Sequence, residues 1–578
     1  MKMRTINRKS ILISVILSFV SILLLRNAYC FTLNKRLILI MGMVCLLWIL
    51  LAFFSVSFNN FIDNSYHKIT AIIHTILNNK KRFFFELLSL GCVVCISKVT
   101  EMIISVTTGT KSSYILFSAV LAVILTIYII YRFRHSLYEK MHQLFFVCSM
   151  ICGVFYIVCA PTEVVMSWDE HIHFNNAMRI VDTVGGYSVL ADKELSSQVY
   201  ETETPFFAET TREQHNIRYD QLYSEKKIGD YESTSIQPVT VAYLPYAAGI
   251  ILGRGLLLPY HIVFRMAKFM NYLLYSVLIS LAIKHSRNHK TIFAGIGMLP
   301  TSMFMAASFS YDPWILSFTL LGFSLYQEAI DKRKINGKIA LRMGSCFFLG
   351  LMIKAVYFPI LIPMLFAPDE VFENKKYKKW FRVFVVALMA LLVISFALPM
   401  LMNPGVQTDV RGGSDVNSAE QVKFILSNPF HYAVIYFRYL FTFYLVPNHL
   451  YGFITAFAYL GNGSKSIISA LVLFMTVLFS RKNRDATLKN GTITLFSSFF
   501  ALTLVVTALY VSFTPVGLET VNGCQFRYLI PLLFPVTSCF GCGTKKLSKY
   551  AGEYGAFVIF YMSVSMLVFI GNYLCCLY

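Results

Sequence analysis

The chain has 578 residues, 56% of them hydrophobic and 14% charged, with a mean hydropathy of +0.61. That balance excludes an ordinary soluble domain and implies an all-α polytopic membrane protein. The formal charge of +21 would suit nucleic acid only if the basic residues formed one patch, and here they are spread through short loops between apolar runs, the pattern of cytoplasmic loops.

The thirteen cysteines lie mostly inside apolar segments and read as reduced, small hydrophobes. Cys92 and Cys95 form a CxxC with no second pair to complete a zinc site. Basic residues precede the first apolar run without a small-residue cleavage site after it, so that run reads as an uncleaved first span.

In chain order, the first spans are expected near 10–27, 37–57, 83–106, 112–131 and 142–160. Starting inside, the cytoplasmic loops carry Lys68, Lys80, Lys81 and Arg82, then Arg132, Arg134 and Lys140. The polar loop that follows is thereby placed outside. Between 161 and 240 it holds 14 Asp or Glu against 6 Lys or Arg, and it lacks a long apolar core of its own. It is expected to fold down onto the membrane surface.

A crossing at 241–258 would put Lys284 to Lys290 outside, against the positive-inside rule, so this segment reads as interfacial or re-entrant and the span as 259–283. Further spans are expected at 291–309, 313–330, 339–353, 355–367 and 381–401. A polar loop covers 403–429 and a second interfacial helix lies within the aromatic run 431–459. Spans at 465–480, 492–511, 527–542 and 554–575 complete about thirteen to fifteen. Two units are expected: a four-span module over 1–140 and a membrane domain over 141–578 with an extracytoplasmic loop at 161–258.

This topology gathers Asp169, Glu170, Arg265, Asp312, Lys354 and Arg527 at one outer face, although they run from position 169 to 527. Ionisable groups at that depth are costly unless they are paired or line a hydrated cavity. In WDEHIHFNNAMRIVDTVGG, the acidic pair suits the start of a helix that Gly185 and Gly186 stop. The same carboxylates also suit a general base and its partner, and the two readings are compatible. Ser310 to Pro313 reads either as a helix cap or as a second carboxylate for a cation or a sugar hydroxyl. Lys354, Arg265 and Arg254 either snorkel to the interface or face a lipid phosphate. Gly523, Gln525, Arg527 and Tyr528 stand at the mouth of a span, where an arginine is out of the ordinary. Walker A, dinucleotide, HExxH and GxSxG signatures are absent from the sequence.

Four pieces, WDEHIHFNNAMRI, FSYDP, IKAVYFPI and VNGCQFRYLIPLLFP, resemble in order the signatures of the bacterial membrane-protein family DUF2142, within the GT-C glycosyltransferase superfamily. The likeness spans roughly 142–545. Trp168, Asn176 and Phe526 depart from the residues usual in that family. The resemblance implies a GT-C-like helix bundle and an inverting transferase that takes a sugar from a polyprenyl-phosphate donor outside the cytoplasmic membrane. The acceptor it implies is a surface glycan or teichoic acid. Asp169 would be the base with Glu170 beside it, and Lys354 with Arg265 or Arg527 would neutralise the leaving phosphate. His173, Asp312, Gln525 and Tyr528 would line the substrate. The resemblance leaves open Mg²⁺ or Mn²⁺ on Asp169, Glu170 and Asp312. Competing readings are a flippase or transporter, a polymerase or ligase of lipid-linked glycans, and a noncatalytic scaffold.

Overall fold

In hydrocarbon every backbone polar group must be satisfied within its own segment, so the apolar runs of this chain become helices. The computed structural model describes residues 8–29, 35–54, 80–109, 112–186, 188–197, 212–225, 228–229, 238–402, 415–446, 453–461, 467–480, 488–540 and 546–577, with isolated positions between 65 and 70. Lys68, the loop stretch 198–211 and the polar loop 403–414 lie outside these residues.

Among the described residues seven helices are long and apolar enough to cross a membrane: Ser10–Ala28, Phe83–Thr108, Tyr114–Phe133, Met141–Cys159, Tyr260–His285, Asn490–Phe513 and Leu547–Cys575. Shorter apolar helices lie at Leu37–Leu51, Ala355–Phe366, Ile467–Phe479 and Phe526–Cys539. The chain is an all-α polytopic membrane protein, its described strands being one antiparallel ribbon of Ser188–Val189 and Ile228–Gly229.

Departures from the sequence reading have local causes. The apolar stretch 291–309 is not one helix but two, Lys290–Gly297 and Pro300–Ala306. Pro300 opens the second helix, and the Thr301 amide donates to the Ile454 carbonyl at 3.1 Å while Thr301 Oγ1 accepts from the Ala456 amide at 2.8 Å. A distant stretch of chain thus fills the break. The 355–367 stretch is a 12-residue 3₁₀-helix containing Pro359 and Pro363, because proline removes the amides an α-helix needs.

The segment read as re-entrant forms the 12-residue helix Leu244–Gly255, about 18 Å long and short of the ~30 Å hydrocarbon core. Glycine explains its seat between two longer helices. A Cβ on Gly249 would stand 2.5 Å from the Met266 carbonyl oxygen, and one on Gly255 would stand 2.7 Å from that of Leu24. Asn27 Nδ2 also donates to the Gly255 carbonyl at 3.1 Å.

Two apolar clusters result. The larger lies among Met141–Cys159, the Tyr272 to Ile283 part of Tyr260–His285, the broken pair and Ala551–Leu577, and it takes in Ile115 and Ala122 of Tyr114–Phe133. The smaller lies at the loop-bearing end, where Phe174, Met178, Val181, Leu195 and Tyr219 of the acidic loop pack on Tyr246, Ile250, Val263 and Phe264. Tyr29 closes that cluster, its hydroxyl donating to the Val181 carbonyl at 3.0 Å. The loop therefore borrows its core from the helices beneath it.

Candidate functional site

The acidic pair opens the amphipathic helix Glu170–Gly185, which ends on Gly186 at φ 77° with its amide returning to the Asp182 carbonyl at 2.6 Å. Asp169 precedes the helix at φ 53° and makes no side-chain cap. A non-glycine residue in the left-handed region costs about 1–3 kcal/mol and persists only where its surroundings hold it. Here that conformation accompanies a parting of two neighbouring carboxylates.

Glu170 turns into the protein and is fully buried. Its Oε2 accepts from the Met166 and Ser167 amides, each at 3.0 Å, and its Oε1 accepts from the Phe309 amide at 3.2 Å. Lys268 Nζ, also buried, stands 3.0 Å from the same Oε1 as an ion pair and lies over the Phe264 ring at 4.5 Å. The expectation of Glu170 as a catalytic or metal-binding carboxylate is corrected by this environment. Both oxygens are committed, and the residue ties the loop, the Phe309 turn and the Tyr260–His285 helix together.

Asp169 takes the other side, 28% exposed, with Oδ2 at 3.9 Å from Arg527 Nη2. The Arg527 guanidinium is buried, and its Nη1 lies 3.2 Å from Asp312 Oδ2. Lys354 Nζ donates to the other oxygen of Asp312 at 3.1 Å. Two cations thus flank one carboxylate, with the Asp169 carboxylate facing the guanidinium. Aromatic faces line the cluster: Lys354 Nζ lies 4.0 Å from the Tyr528 ring centre and 4.9 Å from that of Tyr311, and Arg527 lies 4.6 Å from that of Trp168.

Each element that brings these groups has a local reason to be there. Asp312 heads the helix Asp312–Asp331 with Pro313 in its first turn, and its amide donates to Ser310 Oγ at 3.2 Å. The turn that opens this helix therefore also supplies Asp312 to the site. Lys354 follows the helix Gly337–Leu351. Arg527 and Tyr528 sit in the single 3₁₀ turn Phe526–Leu529, held by Tyr357, whose hydroxyl donates to the Tyr528 carbonyl at 2.8 Å, and by Tyr444, which donates to the Gln525 carbonyl at 2.9 Å. Gln525 Oε1 is buried without a hydrogen-bond partner among the described residues.

His173, one turn after Asp169, is buried with Nδ1 at 2.8 Å from the Tyr243 hydroxyl and its ring edge-on to Tyr311. Burial first, and the Arg527 cation next, push the imidazole down to about 3, so it is neutral at ordinary pH. Arg265 stands half-buried one turn before Lys268 on the same helix. Arg254, weighed from sequence as a phosphate partner, instead binds the loop: Nη2 donates to Asp192 Oδ2 at 2.5 Å, and Tyr260 donates to Oδ1 at 2.8 Å.

The residues present do not fit the divalent cation expected on Asp169, Glu170 and Asp312. Glu170 points away into the core, both oxygens of Asp312 face cations, and among the described residues no group of three or more His, Cys, Asp or Glu converges. Lys268, Trp168, Tyr243 and Tyr311 escaped the sequence reading as site components. For Lys268 a signal existed, since it interrupts an apolar run of sequence as Lys354 does.

A family model described as predicted membrane protein (DUF2142) matches residues 150–536, well over half of the chain. No curated protein and no solved structure matches.

Proposed function

The chain belongs to the DUF2142 family of predicted membrane proteins, and from that premise we propose that it is an inverting glycosyltransferase of GT-C type, moving a sugar from a polyprenyl-phosphate donor to a surface glycan or teichoic acid. The reaction takes place on the outer side of a bacterial cytoplasmic membrane. The observation that carries this reading is one partly exposed carboxylate, Asp169, set against a cluster in which Lys354 and Arg527 share Asp312.

That arrangement has the two poles such a transfer needs. Asp169 accepts the proton of an acceptor hydroxyl as its oxygen attacks the anomeric carbon from the face opposite the leaving group. The bond from that carbon to the phosphate oxygen breaks, and the electron pair leaves with the polyprenyl phosphate. Lys354 and Arg527 stabilise the phosphate charge, an effect strongest where water is excluded. Asp312 holds both cations in place, and neutral His173 with Tyr243 forms a polar wall beside the base.

The test is transfer of radiolabelled sugar from polyprenyl-phosphate donors by the purified protein in nanodiscs, comparing wild type with Asp169→Asn. Turnover by wild type that disappears in a folded variant supports the reading. Wild type that consumes no donor, or a variant as fast as wild type, contradicts it.

A further inference from the structure

The family match begins at residue 150. The helices Arg8–Ala28 and Lys35–Phe54 lie before it, yet together they reach the helix that follows Asp169. The two pack against each other, with Trp48 Nε1 donating to Ser21 Oγ at 3.1 Å. The last turn of the first meets the end of Leu244–Gly255, where a Cβ on Gly255 would strike the Leu24 carbonyl and where Asn27 Nδ2 donates to the Gly255 carbonyl. Leu37 and Met41 of the second helix enter the same apolar cluster as Phe174, Met178 and Val181.

Tyr29 completes this joint. It is 1% exposed, and its hydroxyl, which would be costly to leave unpaired in an apolar cluster, donates to the Val181 carbonyl at 3.0 Å. A carbonyl oxygen has two lone pairs, so a helix carbonyl can accept such a bond in addition to its helix bond. Arg254, beside Gly255, in turn reaches Asp192 of the loop. The first helix, the re-entrant helix and the loop therefore meet in one place.

Val181 lies about 18 Å along the helix from Asp169, so Tyr29 touches no reacting group. What its bond can fix is the rotation of Glu170–Gly185 about its own axis. That rotation sends Glu170 into the core and leaves Asp169 facing Arg527. Asp169 has a left-handed backbone, which persists only where the surroundings hold it. Glu170 anchors the near end of the helix through three backbone amides and Lys268. A second hold at the far end is what keeps the helix from turning about that anchor.

We infer that Tyr29 is a positioning residue for Asp169: the first two helices pin the far end of Glu170–Gly185 and so hold the carboxylate toward Arg527. The inference rests on the transferase reading only for what Asp169 then does.

Tyr29→Phe keeps the ring and removes only the donor. Hydrogen exchange on the full chain in nanodiscs is expected to show the amides of 177–185 exchanging about 3–10-fold faster than in wild type, the worth of one hydrogen bond. Leu244–Gly255, whose bond to Asn27 is intact, should be unchanged. Sugar transfer from a polyprenyl-phosphate donor is expected to lose about 3–10-fold in kcat with donor KM within about twofold, because the base is displaced and the phosphate-facing cations are not. Trp48→Phe, which removes a bond inside the helix pair, should change neither. Unchanged exchange in 177–185 overturns the proposal, as does faster exchange there with kcat at the wild-type value. So does a loss in which donor KM and the thermal midpoint move together with kcat, the mark of a role in stability alone, or an equal effect from Trp48→Phe. Faster exchange in 177–185 while wild type consumes no donor defeats the transferase reading and leaves the pin standing. Turnover by wild type with Tyr29→Phe indistinguishable from it does the reverse.

Discussion

Asp169 and Glu170 are neighbours in sequence with the same chemistry, and the fold gives them opposite tasks. Glu170 is sealed, with three backbone amides and Lys268 on its oxygens. Asp169 is partly open and meets a shared cluster of charges from three distant parts of the chain. A buried carboxylate with every oxygen committed fixes geometry and has nothing left to exchange with a substrate. One with solvent access can be reached by the hydroxyl of a substrate.

The sharpest way to break this contrast is to neutralise each carboxylate in turn. Asp169→Asn is expected to lower transfer by about 10²–10⁴-fold, the usual worth of a general base, with little change in the thermal midpoint in detergent. Lys268→Met strands Glu170 and is expected to cost about 3–5 kcal/mol of stability, read as a large drop in that midpoint. Adding Glu170→Gln to Lys268→Met should recover part of it. If Lys268→Met stays as stable as wild type and loses only turnover, the division of labour is wrong.

A smaller effect is expected from Lys354→Gln, which leaves Arg527 with Asp312. Donor affinity and turnover should together fall by roughly 10–100-fold, since one of two phosphate-facing charges is lost. Kinetics with the prenyl-phosphate donor would measure it.

The smallest effect concerns pH. His173 is held down to about 3 against an ordinary 6.5, so below 6.5 the unfolded chain takes up a proton that the folded chain refuses. Its contribution to stability is therefore present above 6.5 and is lost as pH falls toward 3. Glu163 runs the other way: burial, then the Glu170 carboxylate, raises it to about 7. Its contribution is present below the ordinary carboxylate range and is lost as pH rises through 7. His173→Gln should flatten the acid side of the stability profile and leave the neutral side unchanged, as pH-dependent unfolding would show.

Much of this arrangement was legible in the chain. Apolar run length and loop charge located the long helices, and alternation along them placed Asp169, Asp312, Lys354 and Arg527 at one end, where ion pairs join them. Gly186 stops the loop helix as its sequence implied. Pairing was not legible. Hydropathy cannot say that Lys268 faces Glu170 and not the cluster, or that Arg254 reaches back to Asp192, because those choices depend on helix rotation and on the close seat that Gly249 and Gly255 allow. Nor does an apolar run reveal the break before Pro300, which is paid for by hydrogen bonds from a segment some 150 residues later.

The most direct test of the central claim is a single-turnover measurement of sugar transfer from a long-chain polyprenyl-phosphate donor, with folded Asp169→Asn beside wild type. The account predicts transfer with inversion at the anomeric carbon by wild type and a loss of about 10²–10⁴ in rate, at unchanged donor affinity, in the variant. Equal rates in the two proteins, or retention of configuration, would contradict it.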